Sequence, residues 1–367
     1  MLIDLLLSKN LPFVVYQLPQ HTQPVFVVQT EADLIEFELE ELDKQKGFVI
    51  ATFDTYKSGK AYVLKASKLA KNEEESESLK KFLLEIPDVR PLLGEPENIF
   101  VSKASYLQQA NLLIRQMKAG LFQKVVLSRV VEHRLEASFN HTVFFDRLQK
   151  EYPNAFVYMF FLPGKGLWAG ASPETLIEKK DDAFETMALA GTQQIVDSSA
   201  VVTWQEKEMQ EQAFVTEYIE AELHEMKLEG YKKSIPETIL AGNLAHIRTR
   251  FQIPASVLKG RVGKLAKTLH PTPAVGGLPK DKACQMIEET ERHHRDFYTG
   301  FLGPWNILDT QHLFVNLRCG QFFKNSLAVY VGGGLTAQSE AEKEWKETAD
   351  KSTTLLSVVE NLRNFAP

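Results

Sequence analysis

Two predicted helices in this chain carry an apolar stripe that turns ionic toward its N-terminal end. From Glu340 onward one helical face carries Glu344, Glu347 or Thr348, Lys351, Leu355, Val358 and Leu362. Thr203-Trp204-Gln205-Glu206 has the form of a capping box and opens a second helix, predicted to run to about residue 227. Its stripe is Phe214, Val215, Tyr218, Ile219 and Leu223. Glu211 lies one turn before that stripe on the same side, and Glu208 a further turn back. A helix that packs on a core with one end and presents ions with the other predicts a site at the edge of the core.

Elsewhere the two periods mix. Residues 104–117 read as an amphipathic helix ending near Gly120, and residues 281–290 as another. Strand-like runs cover residues 124–131, 155–162, 167–171 and 183–190, then 238–252, 298–307, 313–322 and 327–331. The first hundred residues hold shorter runs at 13–16, 25–28 and 48–53. Residues 71–78 are so acidic and polar that an exposed loop is expected there. Long strands joined by hairpins, with helices set between groups of strands, predict an α+β architecture rather than a regular βαβ repeat.

Composition narrows the partners. The 367 residues are 44% hydrophobic and 25% charged, as in an ordinary soluble protein able to bury a large core. A net charge of −6 with no basic block argues against nucleic acid. The opening Met1–Leu7 run is too short to span a bilayer and lacks the basic start of a secretion signal, so no membrane partner is expected. The two cysteines, Cys284 and Cys319, read as small buried residues rather than a disulfide, which fits the cytoplasm. A monomer is the default expectation.

Several residues could carry chemistry. Glu211, Glu344 and Glu347, brought together, would repel unless they held a hard divalent ion; the alternative is that each simply favours the positive end of its helix. In Gln123-Lys124-Val125-Val126-Leu127-Ser128-Arg129, strand alternation puts Lys124, Val126 and Ser128 on one face. Lys124 is either an edge residue reaching water or, if enclosed, a base of lowered pKa. Gly170-Ala171-Ser172-Pro173-Glu174 delivers a glutamate from a tight turn, and enclosure would raise its pKa into the range of a proton donor. Ala190-Gly191-Thr192 and Gly332-Gly333-Gly334 put flexible backbone after a strand, where N–H groups can receive a carboxylate. Arg318, inside a strand run, suits bidentate carboxylate binding or a structural ion pair. His270 is held by the rigid Pro271-Thr272-Pro273 loop. His293 and His294 diverge and read as surface residues.

Taken in order, these segments resemble the chorismate-utilising enzymes and, within them, the isochorismate synthases. The likeness covers roughly residues 100–365. It includes His270-Pro271-Thr272-Pro273-Ala274-Val275, Glu291 with Arg295 and Tyr298-Thr299-Gly300, and Glu344-Trp345-Lys346-Glu347-Thr348 beside the motifs above. The resemblance implies a single chorismate-binding domain over residues 1–367, of the anthranilate synthase component I type: two stacked, mostly antiparallel sheets flanked by helices. It implies Mg²⁺ held by Glu211 and Glu347 with Glu344 close by. Lys124 matches a base activating water for attack at C2, Glu174 an acid protonating the C4 hydroxyl, and His270 an orienting residue near the ring. Gly191, Thr192, Tyr298, Arg318, Lys351 and the Gly332–Gly334 backbone would hold the carboxylates of chorismate. Ala190 and Lys124 argue against the ammonia-using members. A salicylate synthase remains the nearest rival, and a non-catalytic Mg²⁺-dependent dicarboxylate binder the rival from another class. Menaquinone synthesis is the expected pathway, with siderophore synthesis the alternative.

Overall fold

The computed structural model describes residues 2–31, 33–89, 93–95, 100–194, 202–241 and 244–363. Two antiparallel sheets organise them. The first runs in the order Gly277–Leu278, Lys124–Arg134, Ser326–Thr336, Cys319–Phe322, Gly166–Ser172, Phe156–Leu162, Phe13–Gln17, Val25–Val28 and Lys68–Ala70. The second runs Lys232–Lys233, Leu244–Pro254, Ala183–Gln194, Thr175–Lys180, Thr310–Val315, Phe301–Ile307, Gly47–Ala51, Lys60–Leu64 and Ile35–Glu38, with Glu237–Ala241 also paired to Leu244–Pro254. Short strands from the first hundred residues thus extend both sheets.

Between the sheets lies an aromatic layer that includes Tyr16, Phe48, Phe156, Tyr158, Phe160, Trp168, Phe314 and Tyr330. Phe156 and Phe314 stack across it at 4.1 Å between ring centroids. The alternation of each strand makes this possible, since every second side chain enters the layer and its neighbours face the opposite side.

The two ionic-stripe helices cover the outer faces. Glu206–Glu225 buries Val215, Ile219 and Leu223 with Ala188 and Phe251 of the second sheet. Ala341–Arg363 buries Leu355, Val358 and Val359 with Val329 and Val331 of the first. Each such side chain contributes about 1.5–3 kcal/mol by leaving water, so the apolar halves anchor the helices and fix where their ionic halves stand.

Four expectations change at this level. Residues 73–84 form a helix, not a loop: Asn72 accepts from the Glu75 N–H, three glutamates fill the favourable first turn, and Leu79 and Leu83 are buried. Residues 238–252 are a hairpin of two strands, because residues 237–241 fold back on 244–248. The second long helix starts at Glu206 instead of after Thr203, with Glu208 reaching back to accept from the N–H of the cap residue Gln205. The run 313–322 is not one strand: Thr310–Val315 belongs to the second sheet and Cys319–Phe322 to the first. Leu317 and Arg318 therefore make a crossing between layers, with Arg318 in a left-handed conformation at φ 49°.

Candidate active site

A second crossing runs beside the first. The chain leaves Gly166–Ser172 of the first sheet and enters Thr175–Lys180 of the second through Pro173 and Glu174. The crossings are tied by Val315 N–H donating to Glu174 O at 2.9 Å and by Ala171 N–H donating to Arg318 O at 3.1 Å. Ser172 Oγ adds a bond to Val315 O at 2.5 Å. Where both connections pass between the layers, a cleft opens. Lys124, Glu174, Gly191, Glu211, Tyr298, Arg318, Gly332, Gly334, Glu347 and Lys351, all picked from the sequence, line it.

Lys124 begins the strand Lys124–Arg134. Val125 and Leu127 are buried with Tyr106 and Leu113, so the alternation turns Lys124 and Val126 toward the cleft. The edge reading of Lys124 is excluded: the residue is 2% exposed. Burial depresses its pKa, opposed by the negative charges of Glu211 and Glu174 and reinforced by Lys351. Glu174, 3% exposed, is pushed the other way, to about 8, by burial, with Lys124 as the leading opposing influence. Each group feels the other across one cavity.

The open edge of a strand supplies backbone polar groups. Ser326–Thr336 pairs with Lys124–Arg134 along its whole length, but its pairing to Cys319–Phe322 stops at Tyr330. Ser128 N–H turns away to Glu291 Oε1 and Val126 N–H to Gly276 O. Their partners Gly332 and Gly334 therefore occupy non-hydrogen-bonded positions, with N–H and C=O directed at the unpaired side. Lys351 Nζ takes the Gly332 carbonyl at 3.0 Å. The three glycines are thus strand residues, not a loop after one. Gly333 does not line the cleft; a Cβ there would meet Glu344 and Thr348 on the opposite face. At Gly334 a Cβ would stand 3.1 Å from Lys124 Cε and 3.6 Å from Glu211 Oε1, so glycine lets those two side chains converge.

Gly191 sits at a register shift between Ala190 and Thr192, in a left-handed conformation with φ 71°. Thr192 returns to register opposite His246. His246, which sequence reasoning missed, also lines the cleft, with Nδ1 3.3 Å from Gly191 O. Burial, then the charges of Arg318 and Lys351, lower its pKa to about 3, which keeps the ring neutral. Its one signal in the sequence was a lone histidine on a strand.

Not every chosen residue reaches the cleft. His270 is 2% exposed behind the wall, where its Nε2 meets Phe53 O at 2.9 Å, and burial lowers its pKa to about 4. From the same loop Ala274 and Val275 line the cleft in its place. That loop is stapled by Arg295, which donates to Glu291 at 2.8 and 2.6 Å, to Val275 O at 2.8 Å and to Val126 O at 2.7 Å. His293 is buried, not on the surface, with Nε2 2.8 Å from Ser128 Oγ.

The acids gather where the two ionic helix ends meet. Lys207 Nζ lies 2.8 Å from Glu344 Oε1 and Lys351 Nζ 2.6 Å from Glu347 Oε1. Burial and Glu347 together raise the pKa of Glu344; at Glu347 burial is outweighed by Lys351, Lys207 and Arg318, and the pKa falls. Glu344 is 1% exposed and lies beside the cleft rather than in its lining. Among the described residues no group of three or more acids, histidines or cysteines already has the spacing to hold an ion. Arg129 fixes this end of the helix, with its guanidinium 3.9 Å from the Trp345 ring centroid and its Nε donating to Thr348 Oγ1 at 2.8 Å.

Comparison with known proteins places this geometry. Residues 36–360 match the family model described as chorismate binding enzyme. Isochorismate synthase EntC of Escherichia coli is 31% identical over 242 residues, 64% of this chain and 62% of that relative, so the match spans less than two thirds of its length. The structure of MenF, the menaquinone-specific isochorismate synthase from Escherichia coli, superposes with a TM-score of 0.77 at 22% identity, over 98% of this chain and 91% of that one. Anthranilate synthase component I from Streptococcus pneumoniae follows at 0.69 and 18% identity, over 95% and 91%. The two structural likenesses establish the shared sandwich.

Proposed function

This chain belongs to the chorismate-binding enzyme family, and on that premise we propose that it is an isochorismate synthase, converting chorismate to isochorismate. The observation that carries the reading is the pair of fully buried, oppositely shifted groups facing one cavity, Lys124 and Glu174.

Water is a poor nucleophile and hydroxide a poor leaving group, so exchange of a ring hydroxyl needs a base and an acid acting together. Burial lowers the pKa of Lys124 and so favours its neutral amine; that amine takes a proton from water as the oxygen attacks C2. Glu174, protonated below about pH 8, gives its proton to the departing C4 hydroxyl. The ring double bonds shift between these two events, and the products are isochorismate and water. Running the sequence backward exchanges the two roles, so the reaction reaches an equilibrium from either isomer.

The substrate is a dianion and needs cationic partners. Arg318 and Lys351 line the cleft and supply fixed positive charge, while Tyr298, the Gly191 bulge and the open edge at Gly332 and Gly334 supply hydrogen-bonding groups. The acids suit Mg²⁺: they are hard oxygen donors, and Glu344 Oε2 is buried without a hydrogen bond of ordinary geometry among the described residues. Glu211, Glu347 and Glu344 would hold the ion, which would supply the charge needed to seat a substrate carboxylate beside acidic side chains.

Incubating the protein with chorismate and Mg²⁺ and resolving the products by chromatography tests the reading. Isochorismate at equilibrium with chorismate is expected. Salicylate plus pyruvate would make the protein a salicylate synthase, and unchanged chorismate would leave it a binder.

A further inference from the structure

Lys207 stands in the first turn of the helix Glu206–Glu225, one turn before Glu211. Its ammonium reaches across to the other ionic helix, where Glu344 accepts it at 2.8 Å; the lysine side chain is 34% exposed, the glutamate 1%. Glu344, Glu211 and Glu347 all pull on this one charge. Besides Lys207, Ser339 hydrogen-bonds Glu344, while Oε2 is buried and makes no hydrogen bond of ordinary geometry among the described residues. Glu347 is served differently. Its partner Lys351 is 17% exposed and also bonded to the Gly332 carbonyl, so that lysine is held at two points. Among the described residues Lys207 has a single ion-pair partner, and its partly exposed, flexible stem gives the ammonium a path to water.

We infer that Lys207 is the resident counter-ion of this acid group and that a divalent cation binds by displacing it, so that Lys207 sets the affinity for the metal. The inference rests on the metal site proposed for Glu211, Glu344 and Glu347. Two cations compete for these acids. A monovalent head group already screens the acids, so an incoming ion must break an ion pair whose carboxylate is buried before gaining its own contacts. Once displaced, the ammonium remains tethered nearby and repels the ion. Removing the lysine abolishes both penalties and leaves the empty acids repelling one another.

Mn²⁺ serves as the probe, titrated into the full chain at low salt and followed by electron paramagnetic resonance, with thermal melting in parallel. Lys207→Gln is expected to bind Mn²⁺ about tenfold more tightly than the parent protein, a change of about 1.4 kcal/mol. Without metal it should melt lower, and added Mn²⁺ should raise its melting temperature by more than it raises the parent's. Lys207→Arg keeps the cation and should bind Mn²⁺ no more tightly than the parent. Equal or weaker Mn²⁺ binding by Lys207→Gln overturns the role of Lys207 while leaving the metal site standing. So does tighter binding by Lys207→Arg, which provides the test should the glutamine variant not fold. Failure of every form to take up Mn²⁺ overturns the metal site and this inference together.

Discussion

The floor of the cleft and its acidic rim are built from the same residue types but treat charge in opposite ways. At the floor Lys124 and Glu174 are buried, and neither belongs to an ion pair among the described residues. At the rim Glu344 and Glu347 are each matched by a lysine within 2.8 Å. On the floor burial dominates and drives the two pKa values toward each other, a lysine down and a carboxyl up to about 8. On the rim the two acids part: burial and Glu347 raise the pKa of Glu344 despite Lys207, whereas at Glu347 the charges of Lys351, Lys207 and Arg318 outweigh burial and hold the carboxylate. Unpaired burial suits the floor to proton exchange, and the stronger pairing at Glu347 suits that acid to keep its charge and bind.

The sharpest break in that contrast is to remove the floor. Lys124→Ala and Glu174→Gln should each lower kcat by about 10³-fold while leaving chorismate affinity within a few-fold, read by steady-state kinetics and calorimetry. Full activity in either variant would strip that residue of its role. Removing the rim should act on binding: Glu347→Gln is expected to weaken Mg²⁺ affinity by at least about tenfold, measured as the Mg²⁺ concentration for half-maximal rate. Unchanged Mg²⁺ demand would take Glu347 out of the metal site.

Arg129→Ala tests the support beneath the rim. It loses a stacked cation–π contact and a buried hydrogen bond, and should cost about 2 kcal/mol in denaturant unfolding with a raised KM for chorismate. Glu174 also makes the floor visible in stability. Its folded pKa of about 8 lies above the ordinary value of 4.5, so the folded state binds more protons than the unfolded state between those values. Its contribution is full below pH 4.5 and is lost as pH rises to about 8. The fall in melting temperature from pH 5 to 8 should therefore be shallower in Glu174→Gln than in the parent. At the small end, Lys343→Ala removes a pair whose side chains are 73% and 64% exposed, and should change unfolding free energy by less than about 0.5 kcal/mol.

Much of this site was legible because strand and helix periods report direction. Alternation put Lys124 and Val126 on one face, and the helical stripe put Glu344 and Glu347 near Lys351. What the periods do not report is where a chain leaves one layer for another. Val315 to Cys319 reads as unbroken strand, yet the chain changes sheets there, and that change carries Arg318 into the cleft. Gly332 and Gly334 looked like a loop because glycine weakens strand character, although a ladder to Ser128 and Val126 holds them extended. His270 and His246 show the same limit. A rigid proline loop marked the first, but it faces Phe53, whereas the second had no marker and faces the cleft. Lys207 escaped because its partner Glu344 lies on a helix more than a hundred residues away, beyond any local pattern.

The most direct test of the acid–base assignment is the fate of solvent oxygen. With chorismate in ¹⁸O-labelled water and Mg²⁺, the account predicts isochorismate carrying one ¹⁸O, at C2, because attack comes from water and the original C4 hydroxyl departs. Isochorismate formed without label would mean the hydroxyl migrates within the substrate, and a water-activating Lys124 opposite a proton-donating Glu174 would be contradicted.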